Sequence, residues 1–321
     1  MNDSFIPQKN HIEIIAELND KGKRLDSFIA EQNTGLSRNR IQKLIKSGNV
    51  IIDGVQSLEK SYIMEGKEKL TLRGMNSFFD DEIRYYPQKI DIKIIYEDKY
   101  IIAVSKPPRM VVHPAPGNRD NTLLNAVLYY NDKIGFDRNI RAGIVHRLDK
   151  DTSGIILIAK DCLTRERLLL LFKERKIKKI YIALVLGSFK EKAGLISIPI
   201  SRSRKNRKMM DVSVIGRQSE TEFKVLEAFS ACSLLEVCPK TGRTHQIRVH
   251  FSHIGHPVIG DKLYGNKESK SLASTLGMNR HFLHAAEITF IHPFTGDKIE
   301  IRDEIPEDLR KGIESARKIY K

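Results

Sequence analysis

The chain has 321 residues, of which 40% are hydrophobic, and its formal net charge at pH 7 is +15. This composition excludes an intrinsically disordered chain and provides enough apolar residues for one large core or for two domains. The positive charge favours a polyanionic partner such as nucleic acid, although a solvated lysine-rich surface would give the same total. No apolar run is long enough to cross a bilayer and the first residues lack a secretory signal, so we expect a cytoplasmic protein.

The cysteines exclude two further classes of protein. Cys162, Cys232 and Cys238 are an odd set, and none of them forms a CxxC pair. A disulfide framework needs paired cysteines, and a thiolate zinc site needs closely spaced ones. The cysteine content therefore fits a reducing compartment.

A short amphipathic helix is the first clear element along the chain. The apolar residues between Ile41 and Ile45 lie on one helical face, and Gly48 is a typical C-terminal stop. Packing that face into a core would turn a basic face toward solvent. Asp53 and Gly54 then form a hairpin turn signal, so strands are expected on both sides of them.

Residues 11–74 resemble an S4 RNA-binding domain. The resemblance rests on Arg24 followed by Leu and Asp, on Leu36 followed by Ser and Arg, on the helix just described, and on Gly66 and Leu70. Such domains lay a basic helix face on folded RNA, where cations neutralise phosphates. The resemblance implies that the RNA-binding residues are Arg24, Arg38, Arg40, Lys43 and Lys46. An ordinary solvated helix face is the alternative interpretation.

The rest of the chain predicts a second, larger domain. We expect residues 1–10 to be a tail and residues 75–88 to be a linker, because the latter mix acids, aromatics and a proline without periodicity. Strand-like runs follow, but the regular helix after each strand that a doubly wound fold requires is missing. Residues 89–321 are therefore predicted to form an α/β (α+β) domain with a mainly antiparallel, mixed sheet.

The polar stretch HRLDKDTSG, residues 146–154, lies between two strand-like runs and is the first candidate site. A loop at a sheet edge can present side chains to a ligand while its backbone stays fixed. Asp149 and Asp151 could form the carboxylate pair that glycoside chemistry needs. A turn whose aspartates bond to their own backbone has the same spacing, so the residues alone leave both interpretations open.

The second candidate site is the stretch TGRTHQIRVHFSHIGH, residues 241–256. Gly242 marks a turn and Thr244 is a suitable N-cap for a helix. Arg243 then lies at the helix start, where the guanidinium and the helix N-terminus both favour an anion. A zinc site on the histidines is discounted, because the stretch has neither a thiolate partner nor an HExxH pattern. These histidines are His245, His250, His253 and His256.

The third candidate is a tyrosine in the run KKIYIALVLG, residues 178–187. The run is apolar on both faces, which predicts a buried strand. Tyr181 shares one face with Ala183 and Val185, and a buried tyrosine needs a hydrogen-bond partner or an aromatic neighbour. In isolation, this pattern favours an ordinary core tyrosine.

Together, these stretches resemble the RluA/RluD family of RNA pseudouridine synthases in order and content. The matching blocks cover most of residues 90–296, among them YEDKYIIAVSKP, GIVHRLDKDTSGIILIAK, KKIYIALVLG and TGRTHQIRVHFSHIGHPVIGDKLYG. The resemblance implies the pseudouridine synthase fold and the isomerisation of uridine to pseudouridine. One departure is Arg109 in KPPRM, which stands where the family usually has glycine, so the geometry of that loop is expected to differ.

The resemblance also implies roles for the candidate residues. Asp149 is the catalytic carboxylate, Arg243 is the cation that pairs with it, and Tyr181 stacks on the target base. Arg147, with His146, fills or holds the space left when the uridine leaves the RNA stack. The reaction is redox neutral, so neither a cofactor nor a metal is expected.

The S4-like region favours large-subunit rRNA or a pre-ribosomal particle as the partner of a monomeric enzyme that has no membrane association. Three alternatives stay open at this stage. The same activity could act on tRNA, or the chain could be a catalytically silent S4-type assembly factor that binds rRNA. The histidine-rich stretch could also serve a metal-dependent nucleic-acid hydrolase.

Overall fold

A computed structural model describes residues 11–32, 34, 36, 38–74, 86–114, 117–134 and 143–320 of the chain. The chain divides into two compact units, Met1–Tyr85 and Tyr86–Lys321. The predicted tail at 1–10 and residues 75–85 of the predicted linker lie outside the described residues. Within the described ranges, no helix combines the length and the apolar character needed to span a membrane.

The first unit combines two helices with an antiparallel sheet. Its elements are β1 (His11–Ile15), a 3-10 helix (Leu18–Asp20), α1 (Leu25–Glu31), α2 (Arg38–Lys46), β2 (Val50–Ile52), β3 (Val55–Ser57) and β4 (Lys69–Arg73). The strand order is β1-β4-β2-β3. Asp53 and Gly54 connect β2 to β3 with φ angles of 47° and 85°, so the predicted hairpin turn is confirmed.

The core of the first unit lies between the helices and the sheet. Ile41, Leu44 and Ile45 of α2 are fully buried, which confirms the predicted apolar stripe. They pack with residues of α1 such as Phe28 and with sheet residues such as Leu72. Each buried side chain of this kind stabilises the fold by about 1.5–3 kcal/mol. The opposite face of α2 is therefore left to solvent.

The second unit is built on one large sheet. Its strands are β5 (Lys93–Glu97), β6 (Ile101–Lys106), β7 (Ser153–Ala159), β8 (Lys178–Leu186), β9 (Ala193–Ser197), β10 (Ile200–Arg202), β11 (Met210–Val212), β12 (Glu220–Ala228), β13 (Cys232–Pro239), β14 (Leu283–Ile291) and β15 (Lys298–Arg302). Its helices are α3 (Leu123–Ile134), α4 (Cys162–Lys173), α5 (Gln246–His253), α6 (Lys267–Thr275) and α7 (Glu307–Ile319).

Among the described residues, the large sheet has the strand order β5-β6-β7-β14-β8-β13-β12-β9, and β15 pairs with β14. The pairs are antiparallel except for β7 with β14, which is parallel. A separate hairpin consists of β10 and β11. The predicted mainly antiparallel, mixed sheet of an α+β domain is confirmed.

Helices cover both faces of the sheet around β7, whose residues are all buried. On one face, Ile156 packs in a cluster with Leu124 of α3. On the other face, Leu157 packs in a cluster with Leu168 of α4. Because both faces are covered, the polar side chains that precede β7 must lie at the end of the sheet where this strand begins.

Parts of β14 and β8 lie at the same end of the sheet. Since β7 and β14 run in parallel, the residues before each strand arrive at the same end of the sheet. Tyr181 of β8 is the Cα partner of Ala285 in β14, which brings it to the same end. The segments before β7 and β14 and one part of β8 therefore meet in space.

Candidate active site

The HRLDKDTSG loop enters β7 at a point where only glycine fits. Gly154 has a φ of 115°, and a Cβ atom on it would lie 2.2 Å from the carbonyl oxygen of Ala285. Both the backbone angle and the close approach of β14 exclude a side chain there. This contact anchors the C-terminal end of the loop to the sheet.

Residues from two distant segments support the middle of this loop. His281 Nε2 lies 2.8 Å from Thr152 Oγ1, and Arg280 donates a hydrogen bond of 2.9 Å to the carbonyl of Asp151. Lys106, which is fully buried, donates to the carbonyl of Lys150 at 3.2 Å. Burial and the charge of Arg280 lower the pKa of Lys106 to about 7. The loop is thus held by two of its carbonyl groups and by the side chain of Thr152.

Asp149 faces a cavity of about 570 Å³ at the end of the sheet where β7 begins. Arg248 Nη1 donates to Asp149 Oδ2 at 2.8 Å, and His245 Nε2 lies 3.8 Å from Oδ1. Burial by itself would raise the pKa of Asp149, but the charges of His245 and Arg248 and the hydrogen bond from Arg248 lower it overall. Since burial lowers the pKa of His245, its ring is neutral near pH 7 and Arg248 is then the main cation. Asp149 is therefore an anion at neutral pH.

Arg248 is held rigidly from its other side. Asp261, which is fully buried, accepts hydrogen bonds from Arg248 Nε at 2.7 Å and from Nη2 at 2.9 Å. It also accepts from the backbone of Leu263 and Tyr264. Two-point contacts of this kind fix the plane of a guanidinium. The pKa of Arg248 is raised by these contacts despite its burial, so the guanidinium stays charged.

The predicted pairing of Arg243 with Asp149 is corrected by this geometry. Arg243 lines the same cavity, but its Nε donates to the carbonyl of Gln218 at 3.2 Å and Arg248 takes the position beside the carboxylate. The physical reason is the start of the helix. Its first residue is Gln246, so Arg248 lies in the first turn and points inward, while Arg243 precedes the helix.

The predicted cap of this helix is also wrong. The N-cap residue is His245, with a left-handed φ of 56°, and not Thr244. The side chain of Gln246 instead fixes the turn that precedes the helix, by accepting from the backbone N–H of Arg243 at 3.0 Å and from Thr241 Oγ1 at 2.6 Å. The sequence did contain one signal for Arg248: it lies three residues before the buried Phe251, on the same helix face.

Tyr181 lies in the wall of the same cavity, on β8. Burial, and then the charge of Asp149, raise the pKa of its hydroxyl. The hydroxyl is therefore protonated at neutral pH, and the ring offers a flat apolar face close to the carboxylate. The structure thus brings Asp149 and Tyr181 to one site.

His146 and Arg147 precede Asp149 but differ in their surroundings. His146 Nε2 accepts a hydrogen bond of 2.8 Å from the backbone N–H of Leu157, and its ring lies 4.8 Å from that of Phe172. Burial and the charge of Lys179 lower the pKa of His146 to about 3, so the ring is neutral. Arg147 is exposed at the mouth of the cavity. His146 is thus in place to hold the loop, and Arg147 is open to solvent.

Two further histidines of residues 241–256 have separate hydrogen-bond partners, whereas His253 is exposed. His250 Nδ1 lies 2.9 Å from Thr221 Oγ1, and His256 Nδ1 lies 2.7 Å from the carbonyl of Leu186. Within the described ranges, no group of three or more potential ligands could hold a metal ion. The imidazoles of His250 and His256 therefore support the fold around α5.

Arg109, the departure within KPPRM, adopts a left-handed backbone with a φ of 66°. This conformation favours glycine, so an arginine there is strained. Lys106 bridges the same turn by donating to the carbonyls of Pro107 at 2.7 Å and Met110 at 2.9 Å. These two hydrogen bonds tie the ends of the turn together around Arg109.

The predicted RNA-binding residues lie in the first unit, around one buried carboxylate. Asp26 is fully buried and accepts from Arg24 at 3.1 Å and from Arg38 at 3.3 Å, yet both arginines stay about half exposed. Lys43 and Lys46 are exposed on α2. The side chain of Arg40 lies outside the described residues. The described members of the basic set are thus open to solvent.

Comparison with known proteins shows which proteins the chain is similar to. The model of the RNA pseudouridylate synthase family matches residues 100–253. The chain is 36% identical over 310 residues to the uncharacterized RNA pseudouridine synthase YlyB of Bacillus subtilis, covering 96% of this chain and 99% of that protein. It is 38% identical over 307 residues to ribosomal large subunit pseudouridine synthase D of Escherichia coli, covering 93% and 92%.

A solved structure supports the same relationship. Human RNA pseudouridylate synthase domain containing 1 superimposes with a TM-score of 0.56 at 28% identity, covering 68% of this chain and 85% of that one. Human RNA pseudouridylate synthase domain containing 4, with a TM-score of 0.57 at 22% identity, shares the fold.

Proposed function

The chain belongs to the RluA/RluD family of RNA pseudouridine synthases, and we propose that it isomerises uridines of large-subunit rRNA with Asp149 as the catalytic carboxylate. The observation that carries this proposal is an ionised carboxylate that a buried arginine holds at the wall of a cavity, beside a tyrosine. The cavity is large enough for one nucleoside, since small-molecule sites occupy about 300–1,000 Å³.

The reaction requires one bond to break and another to form. The glycosidic bond from N1 of uracil to C1′ of ribose breaks, the uracil turns, and C5 bonds to C1′. The proton on C5 is lost and N1 gains one, so the isomerisation is redox neutral and consumes no co-reactant.

Asp149 can begin this sequence as a nucleophile. Its Oδ2 is occupied by the hydrogen bond from Arg248, which leaves Oδ1 for the substrate. Attack on C1′ would displace uracil, and attack on the uracil ring is the competing route. Both need the anion, which the buried Arg248 maintains.

Tyr181 is suited to hold the base while it turns. A flat ring in the cavity wall can stack on uracil without fixing its rotation, and such stacking contributes about 1–3 kcal/mol per base. Since its hydroxyl keeps its proton at neutral pH, it can assist in removing the C5 proton only as a relay, passing on its own proton as it accepts that one. Arg147 is the candidate to fill the space that the extruded uridine leaves, because it is long, planar and exposed.

Large-subunit rRNA is the proposed substrate for two reasons. The Escherichia coli relative carries that substrate in its name and aligns with 93% of this chain. The first unit also exposes a basic helix face suited to folded RNA. We further propose that this unit is an S4 RNA-binding domain, that the enzyme acts as a monomer, and that it acts in the cytoplasm.

The test is carbodiimide primer-extension mapping of pseudouridine in rRNA from three strains. One strain has the gene, one lacks it, and one carries Asp149→Asn in its place. Loss of the same stops in the last two strains would support the proposal and identify the uridines. Unchanged rRNA in both would redirect the mapping to tRNA, and unchanged tRNA as well would favour the silent assembly factor.

A further inference from the structure

Lys179 is a cation in the cavity that the proposed reaction does not use. It lies on β8 two residues before Tyr181, so both side chains project from the same face of the strand, and both line the cavity. At a rise of about 3.3 Å per residue, their Cα atoms are about 7 Å apart. A group bound by Lys179 would therefore lie beside a base stacked on Tyr181.

The ammonium of Lys179 has no partner among the residues that the structure describes. A Cβ atom on Gly242 would lie 3.9 Å from its Nζ, and the charged or titratable groups that sense it are the Cys238 thiol and the His146 ring. No carboxylate or carbonyl oxygen of the described chain accepts a hydrogen bond from it. Burial lowers the pKa of Lys179, as expected for an ammonium that has lost water without gaining an anion.

Two other lysines of the second unit, unlike Lys179, do have partners for their ammonium groups. Lys106 is fully buried, but it donates to the carbonyls of Pro107, Met110 and Lys150. Lys160 pairs with Glu97 at 2.5 Å. Lys179 differs from both because its ammonium faces the cavity, where a bound ligand can supply the missing acceptor.

The charge of the cavity indicates what that ligand is. The only carboxylate among its described lining residues is Asp149, and Arg248 already neutralises it. The cationic lining residues are Arg147, Lys173, Arg175, Lys179, Lys240, Arg243 and Arg248. Such a wall attracts an anion, and the anionic part of an RNA strand is its phosphodiester.

We propose that Lys179 binds a backbone phosphate that flanks the target uridine, which makes it the phosphate anchor for the nucleotide whose base lies on Tyr181. This inference rests on the proposed function, since it presumes that an RNA strand enters the cavity. The phosphate would give the ammonium its missing partner, and the ammonium would fix the ribose relative to Oδ1 of Asp149. Lys179 is thus assigned a binding role and no proton transfer.

The first test uses rRNA labelled with tritium at C5 of uridine and isolated from cells that lack the gene. Tritium release would be measured for the wild type, Lys179→Met, Lys179→Arg and Lys178→Met at several salt concentrations. Lys178 is the matched control because it is the neighbouring residue of β8, exposed and on the opposite strand face. We expect Lys179→Met to lower kcat/KM about tenfold, mainly through KM, and to make its salt dependence shallower by about one phosphate contact.

The two control variants separate charge from folding. Lys179→Arg should retain the salt dependence, and Lys178→Met should match the wild type. Because Lys179→Met removes a cation without a protein partner, its unfolding temperature should be no lower than that of the wild type. A lowered unfolding temperature with an unchanged salt dependence would assign Lys179 a structural role and overturn the proposal.

A second test locates the phosphate. Short RNAs with an uncharged methylphosphonate on either side of the modified uridine would be compared between the wild type and Lys179→Met. The substitution at the anchored phosphate should weaken wild-type turnover and have little further effect on the variant. Independent, multiplicative effects at both positions would overturn the assignment. If the wild type itself releases no tritium, the proposed function fails. If the wild type is active and Lys179→Met equals it in kcat/KM and in salt dependence, only the phosphate assignment fails.

Discussion

Each unit of this protein contains a carboxylate flanked by arginine, but the two pairs are oriented in opposite ways. In the first unit, Asp26 is fully buried while Arg24 and Arg38 are 45% and 56% exposed. In the second unit, the cation Arg248 is 8% exposed and the carboxylate of Asp149, at 17%, faces the cavity. The same kind of ion pair therefore presents cations to solvent in the first unit and an anion to a cavity in the second.

This difference teaches which partner each surface can accept. Exposed guanidiniums held in place by a buried anion fit phosphates, which supply the negative charge from outside. An anion held by a buried guanidinium fits an electrophilic centre such as C1′ of ribose. The predictions below test this contrast, beginning with the carboxylate at the cavity.

Replacing the cavity carboxylate should have the largest effect. Asp149→Asn removes the reactive anion and little else, so isomerisation should fall at least ~10³-fold while RNA affinity stays nearly unchanged. Tritium release and filter binding on the same rRNA would measure both quantities. Asp151→Asn is the matched control, because that residue lies in the same loop but does not line the cavity. Equal losses in both variants would contradict the assignment of Asp149.

Removing the support of the buried cation should have the next largest effect. Asp261→Asn leaves Arg248 without its two-point partner, which should lower the free energy of unfolding by about 3 kcal/mol. A less constrained Arg248 should also let the pKa of Asp149 rise toward its usual value. Since activity needs the anion and is lost as pH falls through that pKa, the acid limb of the activity profile should move to higher pH.

Denaturant unfolding and a pH profile of tritium release would check these two effects. Glu227→Gln, which removes an exposed pair with Arg317, is the control and should change stability by less than about 1 kcal/mol. An unshifted acid limb in Asp261→Asn would mean that Arg248 does not set the ionisation of Asp149.

Removing cations from the exposed face of α2 tests whether the first unit binds phosphates. The double variant Arg38→Ala with Lys43→Ala should weaken rRNA binding about tenfold and reduce its salt slope by about two contacts. The chemical step at saturating RNA should be unchanged, because both residues lie in the first unit. Affinity and salt slope equal to those of the wild type would show that this helix face does not dock on RNA.

The smallest effect should be the pH dependence of the first unit. Burial by itself would raise the pKa of Asp26, but its hydrogen bonds from Arg24 and Gln42 and the nearby arginine charges lower it to about 2. A depressed pKa stabilises the fold above the unfolded value of 3.8, and this contribution is lost as pH falls from about 4 toward 2. Hydrogen exchange in α1 and α2, corrected for intrinsic rates, should lose this pH dependence in Asp26→Asn.

The sequence alone was informative where a pattern is local. The apolar stripe of α2 and the hairpin turn at Asp53 and Gly54 depend on neighbours within a few residues, and the structure has both. The run from Lys178 was expected to be a strand, and β8 occupies Lys178–Leu186. The polar loop at Asp149 was recognisable because charged residues stand between two apolar runs.

The sequence could not predict which cation lies beside Asp149. Arg243 and Arg248 stand on either side of the helix start, and a shift of the first helical residue exchanges which of them points inward. Asp261, Arg280 and His281 had no local pattern to mark them, although they support Arg248 and the loop.

What the sequence by itself determined was therefore the set of local elements, the family, and the carboxylate loop, since periodicity and short motifs encode contacts between near neighbours. The tertiary structure alone decided which arginine holds the carboxylate and which face of each ion pair is exposed. The physical reason is that pairing of β7 with β14 and of β14 with β8 joins segments more than a hundred residues apart. The burial that sets the charge of each group exists only after those strands have paired.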